Sequence, residues 1–89
     1  MNMFVIMTYD VGVERLVQVL KTARKYLYWV QNSVFEGEIS DADLIRLRSD
    51  LLRIIDKEKD SVTFYLLRTT KYLKKETMGA VKGEPEIFL

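Results

Sequence analysis

The stretch Met3-Phe4-Val5-Ile6-Met7-Thr8-Tyr9-Asp10 decides the architecture. From Met3 to Tyr9 it is almost continuously apolar, too short for a buried helix and rich in β-formers. This predicts a central strand covered on at least one face. The run ends in Asp10-Val11-Gly12, a turn. From Val13 the period changes: Val13, Leu16, Leu20, Ala23 and Leu27 recur at three- and four-residue spacing, with Val17 widening the stripe. Arg15, Gln18, Lys21, Arg24 and Lys25 fall outside it, so an amphipathic helix is expected, buried along the first set.

Further along, Trp29-Val30-Gln31 and Val34-Phe35-Glu36-Gly37-Glu38 suit two strands separated by a bend at Asn32-Ser33. Ser40-Asp41-Ala42-Asp43 reads as a capping box in which Asp43 replaces the commoner Glu. A second helix follows, with Leu44, Leu47, Leu51, Ile54 and Ile55 as its buried stripe. Asp60 and Ser61 introduce a last core strand over residues 62–67. The order β-α-β-β-α-β gives an α+β, ferredoxin-like sandwich with two helices on one face of an antiparallel sheet. A single domain over residues 1–89 is expected, with about 80–89 as a C-terminal tail that adds a short strand. The fold alone settles nothing about activity.

The 89-residue chain is small enough that association would add useful burial. It contains neither histidine nor cysteine. That excludes a Ser-His-Asp triad, a thiol nucleophile, a zinc finger and an imidazole base. Hydrolytic chemistry must then rest on Asp, Glu, Lys or Tyr, or on water activated by a hard cation such as Mg2+ or Mn2+ held by oxygen. No apolar run reaches the length of a membrane span and no signal-peptide pattern is present, so a cytoplasmic location is expected.

The net charge of +1 is unremarkable, but its distribution is segregated. Arg15, Lys21, Arg24 and Lys25 form one basic group, and Arg68, Lys71, Lys74 and Lys75 another. Such grouping either makes a phosphate-binding face or merely solvates a helix. Lys21, Arg24, Lys71, Lys74 and Lys75, with Arg15, are the candidate nucleic-acid contacts.

Asp10 is the most informative single residue. A carboxylate at the end of a rigid strand suits a metal ligand, although Asp also opens turns and caps helices. One carboxylate is a poor Mg2+ site by itself, and a twofold homodimer would supply a second copy. In the 29–37 segment, Gln31 and Ser33 offer hydrogen bonds to phosphate, and Phe35 offers an interface or stacking surface. A β-bulge with satisfied polar groups is the alternative. The aromatic residues Tyr26, Tyr28, Trp29, Tyr65 and Tyr72 fit either a base-stacking platform or, more commonly, core and interface.

Three stretches together carry a resemblance. They are the first strand ending in Tyr9-Asp10, Val30-Gln31-Asn32-Ser33-Val34-Phe35-Glu36-Gly37, and Asp60-Ser61-Val62 leading into Tyr65-Leu66-Leu67-Arg68. In order and spacing the chain resembles the CRISPR-associated protein 2 family. The resemblance implies a ferredoxin-like homodimer whose C-terminal strands join the partner's sheet, with metal held by both copies of Asp10. It implies Mg2+-dependent endonuclease activity on RNA or DNA. It also implies a structural role beside the CRISPR-associated protein 1 integrase in spacer acquisition for antiviral defence. Tyr9, Asp10, Arg15, Ser33 and Phe35 match positions that the family links to cleavage or its support. Trp29 stands where relatives often carry a basic residue, and Arg15 is the only arginine early in the first helix. A non-catalytic nucleic-acid scaffold and a toxin-type ferredoxin-like ribonuclease, as in the virulence-associated protein D toxins, are the alternatives.

Overall fold

In the computed structural model, which describes residues 2–80, the apolar run forms strand β1 (Asn2–Asp10). The remaining elements are α1 (Val13–Arg24), β2 (Tyr28–Gln31), β3 (Val34–Ser40), α2 (Asp41–Ile54) and β4 (Ser61–Leu67). The sheet order is β2-β3-β1-β4, and all neighbouring strands are antiparallel. β1 is therefore central, as its composition requires. The expected C-terminal strand and the tail segment from residue 81 onward lie outside the described residues.

Strand alternation divides β1 between two environments. Val5, Met7 and Tyr9 face the helices and join Phe35 and Ile39 of β3 in the buried core. Phe4, Ile6, Thr8 and Asp10 face the other way. On this uncovered side, Ile6 lies between Glu36 and Tyr65, Thr8 between Val34 and Thr63, and Asp10 opposite Ser61. The two helices cover only one side of the sheet, so the other carries a mixed apolar and polar surface.

The buried side of α1 differs from the expected stripe. Val19, Thr22 and Ala23 are buried, Leu16 and Leu20 pack against the core, and Val13 and Val17 are 81% and 61% exposed. α1 has apolar residues around much of its circumference, so spacing established a helix without fixing its rotation. The sheet and α2 select the 16-19-20-23 face. Leu27 is buried as expected, but beyond the end of α1, with its N–H on the Ala23 carbonyl at 2.9 Å.

α2 follows its pattern closely: Leu44, Leu47 and Leu51 are buried, and Ile54 and Ile55 pack against the core. The Ser40 hydroxyl accepts the Asp43 N–H at 3.1 Å, which caps the helix. The Asp43 carboxylate pairs with Arg46 at 2.7 Å rather than returning to the cap. Aspartate is one methylene shorter than the glutamate that usually closes the box. Among the described residues no helix is long and apolar enough to cross a membrane.

Candidate functional site

Asp10 is exposed at the C-terminal end of β1, on the uncovered side of the sheet and opposite Ser61. No described residue donates a hydrogen bond or ion pair to its carboxylate. Around it, by contrast, the backbone is tied down on two sides.

The first tie is Asp60, the residue immediately before β4. Its side chain is only 1% exposed and receives four hydrogen bonds. Arg15 grips it as a fork, with Nε on Oδ2 at 2.5 Å and Nη2 on Oδ1 at 2.8 Å. The Gly12 N–H adds a bond to Oδ1 and the Asp56 N–H one to Oδ2, both at 2.9 Å. The Arg15 hydrogen bonds hold the Asp60 carboxyl well below the usual carboxylate range; burial opposes this, and the two backbone donors reinforce it. Asp60 in turn raises the Arg15 guanidinium above its ordinary value. Gly12 matters because of close approach: a Cβ there would lie 2.5 Å from Arg15 Nη2. A larger residue there must displace the ends of the Glu14 and Arg15 side chains, which crowds the fork on Asp60.

The second tie runs through Tyr9. Its N–H donates to the Ser33 carbonyl at 3.1 Å, and its hydroxyl donates to the Asn32 carbonyl at 2.9 Å. Trp29 Nε1 donates to that same carbonyl at 3.0 Å. Asn32 has φ of 29°, which asparagine tolerates better than most residues, and it forms the tight β2–β3 turn. A register irregularity between Trp29 and Gln31 accompanies the turn, so the expected bend is both a hairpin and a bulge. Burial raises the pKa of the Tyr9 hydroxyl, and the nearby charge of Arg24 pulls it partly back.

Of the residues singled out from sequence, Tyr9, Asp10 and the 32–33 turn are brought together, with Ser33 exposed beside Tyr9 and Gln31 exposed at the end of β2. Arg15 also reaches this end of the sheet, but with its fork turned onto Asp60. Phe35 departs from the expected stacking or interface role: it is fully buried, and its ring tilts against Tyr9 with centroids 5.9 Å apart. Its place near the start of β3, on the helix-facing pleat beside Met7 and Tyr9, enforces this.

The basic residues form no single face in the protomer. Lys21 and Arg24 are exposed on α1, in the helical layer. Lys75 lies on the uncovered side of the sheet, where its Nζ meets Glu36 Oε2 at 3.1 Å. Lys71 sits 5.5 Å from the Tyr72 ring centroid, and Lys74 faces Glu76 at 4.0 Å. Asp60 and Glu36 escaped the sequence reading as partnered buried acids. An Asp-Ser pair before a strand looks like an ordinary turn, and nothing local reveals a cation 45 or 39 positions away.

An antiparallel sheet with both helices on one side defines a ferredoxin-like α+β protein, with a carboxylate at the end of its central strand that has no partner among the described residues. Residues 3–75 match the family described as CRISPR associated protein Cas2. The chain belongs to the Cas2 family. It is 51% identical over 87 residues to the CRISPR-associated endoribonuclease Cas2 of Dictyoglomus turgidum, covering 98% of this chain and 100% of that one. The Thermotoga maritima protein of the same name is 50% identical over 82 residues, covering 92% of this chain and 94% of its relative. A solved Cas2 structure superposes with a TM-score of 0.86 at 43% identity, covering all of both chains.

Proposed function

We propose that this chain is a metal-dependent endoribonuclease of the CRISPR system, acting as a homodimer with Asp10 as its metal ligand. The observation that carries this reading is the exposed Asp10 carboxylate, free of partners among the described residues at the end of a rigid central strand. The Dictyoglomus and Thermotoga relatives named endoribonucleases support RNA as the substrate, with DNA the second candidate.

The residues present fit a hard cation that keeps most of its waters. The described residues hold no cluster of three or more potential metal-ligating His, Cys, Asp or Glu side chains, and Asp10 offers anionic oxygen. Mg2+ characteristically takes one or two carboxylates together with water and substrate phosphate oxygens. A second copy of Asp10 would meet that need across a twofold axis. The uncovered sheet side, with Ile6, Val34, Tyr65 and Leu67, offers the surface for that copy. Bound Mg2+ or Mn2+ would supply charge stabilisation at the scissile phosphate and acidify an attacking water.

The chain's own part is to present Asp10 and to receive the phosphodiester. Tyr9 holds the 32–33 turn against β1, so that Ser33 and Gln31 can donate to phosphate oxygens beside Asp10. Lys21, Arg24, Lys71 and Lys74 attract the backbone without reading sequence. Arg15 and Phe35 act as supports. The same dimer would serve in the cytoplasm as the structural subunit beside the CRISPR-associated protein 1 integrase.

The test is cleavage of single-stranded RNA and duplex DNA by the parent and Asp10→Asn, with chelator and with restored Mg2+ or Mn2+. Metal-restored RNA cleavage by the parent and none by Asp10→Asn is expected. Parental rates from the variant, purified free of contaminating nuclease, would remove Asp10 from the mechanism.

A further inference from the structure

We infer that Asp60 is a positioning residue for the Asp10 site, with Arg15 and Gly12 as the other members of one clamp. The inference rests on the reading of Asp10 as the metal ligand. Asp10 has no hydrogen bonds of its own among the described residues, so its carboxylate can be aimed only by its backbone. Asp60 controls that backbone from two sides, the turn that follows β1 and the start of β4. Through the Gly12 N–H it holds the turn two residues beyond Asp10. Through the next residue, Ser61, it holds the position directly opposite Asp10 in the sheet.

The clamp also draws the starts of α1 and β4 and the turn after α2 onto one carboxylate. Arg15 belongs to the first turn of α1, and Asp56 to the turn after α2. The Asp60 N–H returns to the Asp56 carbonyl at 2.7 Å, closing that turn on itself. One nearly inaccessible carboxylate thus fixes the β1–α1 turn, the start of α1 and the start of β4 together. A metal shared between two copies of Asp10 requires both strand ends to hold matching positions, and a shift of about 1 Å at such a site is costly to catalysis. Asp60 and Arg15 need touch neither metal nor RNA to have this effect.

A purely structural clamp would change stability and nothing else, so the readouts are Mn2+ affinity by electron paramagnetic resonance, and kcat and KM for RNA cleavage. All are measured on the whole protein, well below each variant's unfolding midpoint. Asp60→Asn keeps the shape and an acceptor for Gly12 but loses the charged fork. It is expected to weaken Mn2+ binding and lower kcat by about 10- to 100-fold, as for groups that orient metal ligands, with KM within about twofold. Faster hydrogen exchange at the Gly12 amide should accompany the loss. A less stable Asp60→Asn protein with parental Mn2+ affinity and kcat would overturn the inference. If Asp60→Asn does not fold, Arg15→Lys and Gly12→Ala, which loosen the clamp from its other side, must both weaken Mn2+ binding; parental affinity in both overturns it equally. Asp10→Asn, measured alongside, separates the two readings. If it retains Mn2+ and cleavage, the Asp10 reading falls and the clamp's role falls with it. If only the clamp variants behave as the parent, Asp10 stands and the clamp is structural.

Discussion

Arg15 and Asp60, 45 positions apart in the chain, meet as a two-pronged ion pair that closes the end of the sheet beneath Asp10. The pair has a definite acid signature. The folded Asp60 carboxyl lies below its unfolded value, so the stability it contributes is complete above about pH 4 and is lost as pH falls through the folded value. Urea midpoints for the parent and Asp60→Asn should therefore differ most at neutral pH, and the gap should narrow below about pH 4. A gap of constant size from neutrality to strong acid would mean that the charge on Asp60 carries none of the difference.

Tyr9 gives its hydroxyl to the Asn32 carbonyl, which identifies it as a support for the turn. Tyr9→Phe should lower folding stability by about 1 kcal/mol, the usual net worth of one such bond. Trp29 still satisfies the carbonyl, so no buried acceptor is orphaned. Cleavage should stay within about threefold of the parent, a change of under about 1 kcal/mol in the barrier. A loss of a hundredfold or more at unchanged stability would place the phenol in the chemistry instead.

Tyr65 is 55% exposed on the uncovered side of the sheet, opposite Ile6. Glutamate there leaves the core untouched but puts a charge where a second copy is proposed to sit. Analytical ultracentrifugation at micromolar concentration should find the parent dimeric and Tyr65→Glu monomeric, with far-ultraviolet circular dichroism unchanged. A Tyr65→Glu dimer as tight as the parent would exclude this side of the sheet as the interface.

Lys71 and Lys74 are exposed, and alanine at both should reduce RNA binding without altering the fold. The slope of log affinity against log salt should flatten by about 0.7 for each lost phosphate contact on single strands, or about 1.4 together. Lys75→Ala is the informative contrast, because that lysine already neutralises the largely buried Glu36. It should disturb stability as well as binding. An unchanged salt slope in the Lys71/Lys74 double variant would take the basic stretch out of the RNA path.

Much of the fold was legible because it is written in short-range patterns. The apolar run of β1, the Ser40 cap and the 44-47-51 stripe each depend on residues within a few positions of one another, where strand and helix periods operate. Asp10 was legible for the same reason, as a carboxylate at the visible end of a strand. The turn at Asn32-Ser33 could be located, but its third function, accepting the Tyr9 hydroxyl, could not, because Tyr9 is 23 positions away.

The sequence by itself determined which segments become helix or strand, and it excluded chemistry based on histidine or cysteine. The tertiary structure alone decided that α1 buries Val19 and leaves Val13 in solvent, that Phe35 lies in the core, and that Arg15 and Lys75 are held by Asp60 and Glu36. The reason is that a period sets the conformation of a segment but not its rotation against its neighbours. Hydrogen bonds and ion pairs between distant residues exist only once the layers have stacked, when burial makes a partner for each charge obligatory.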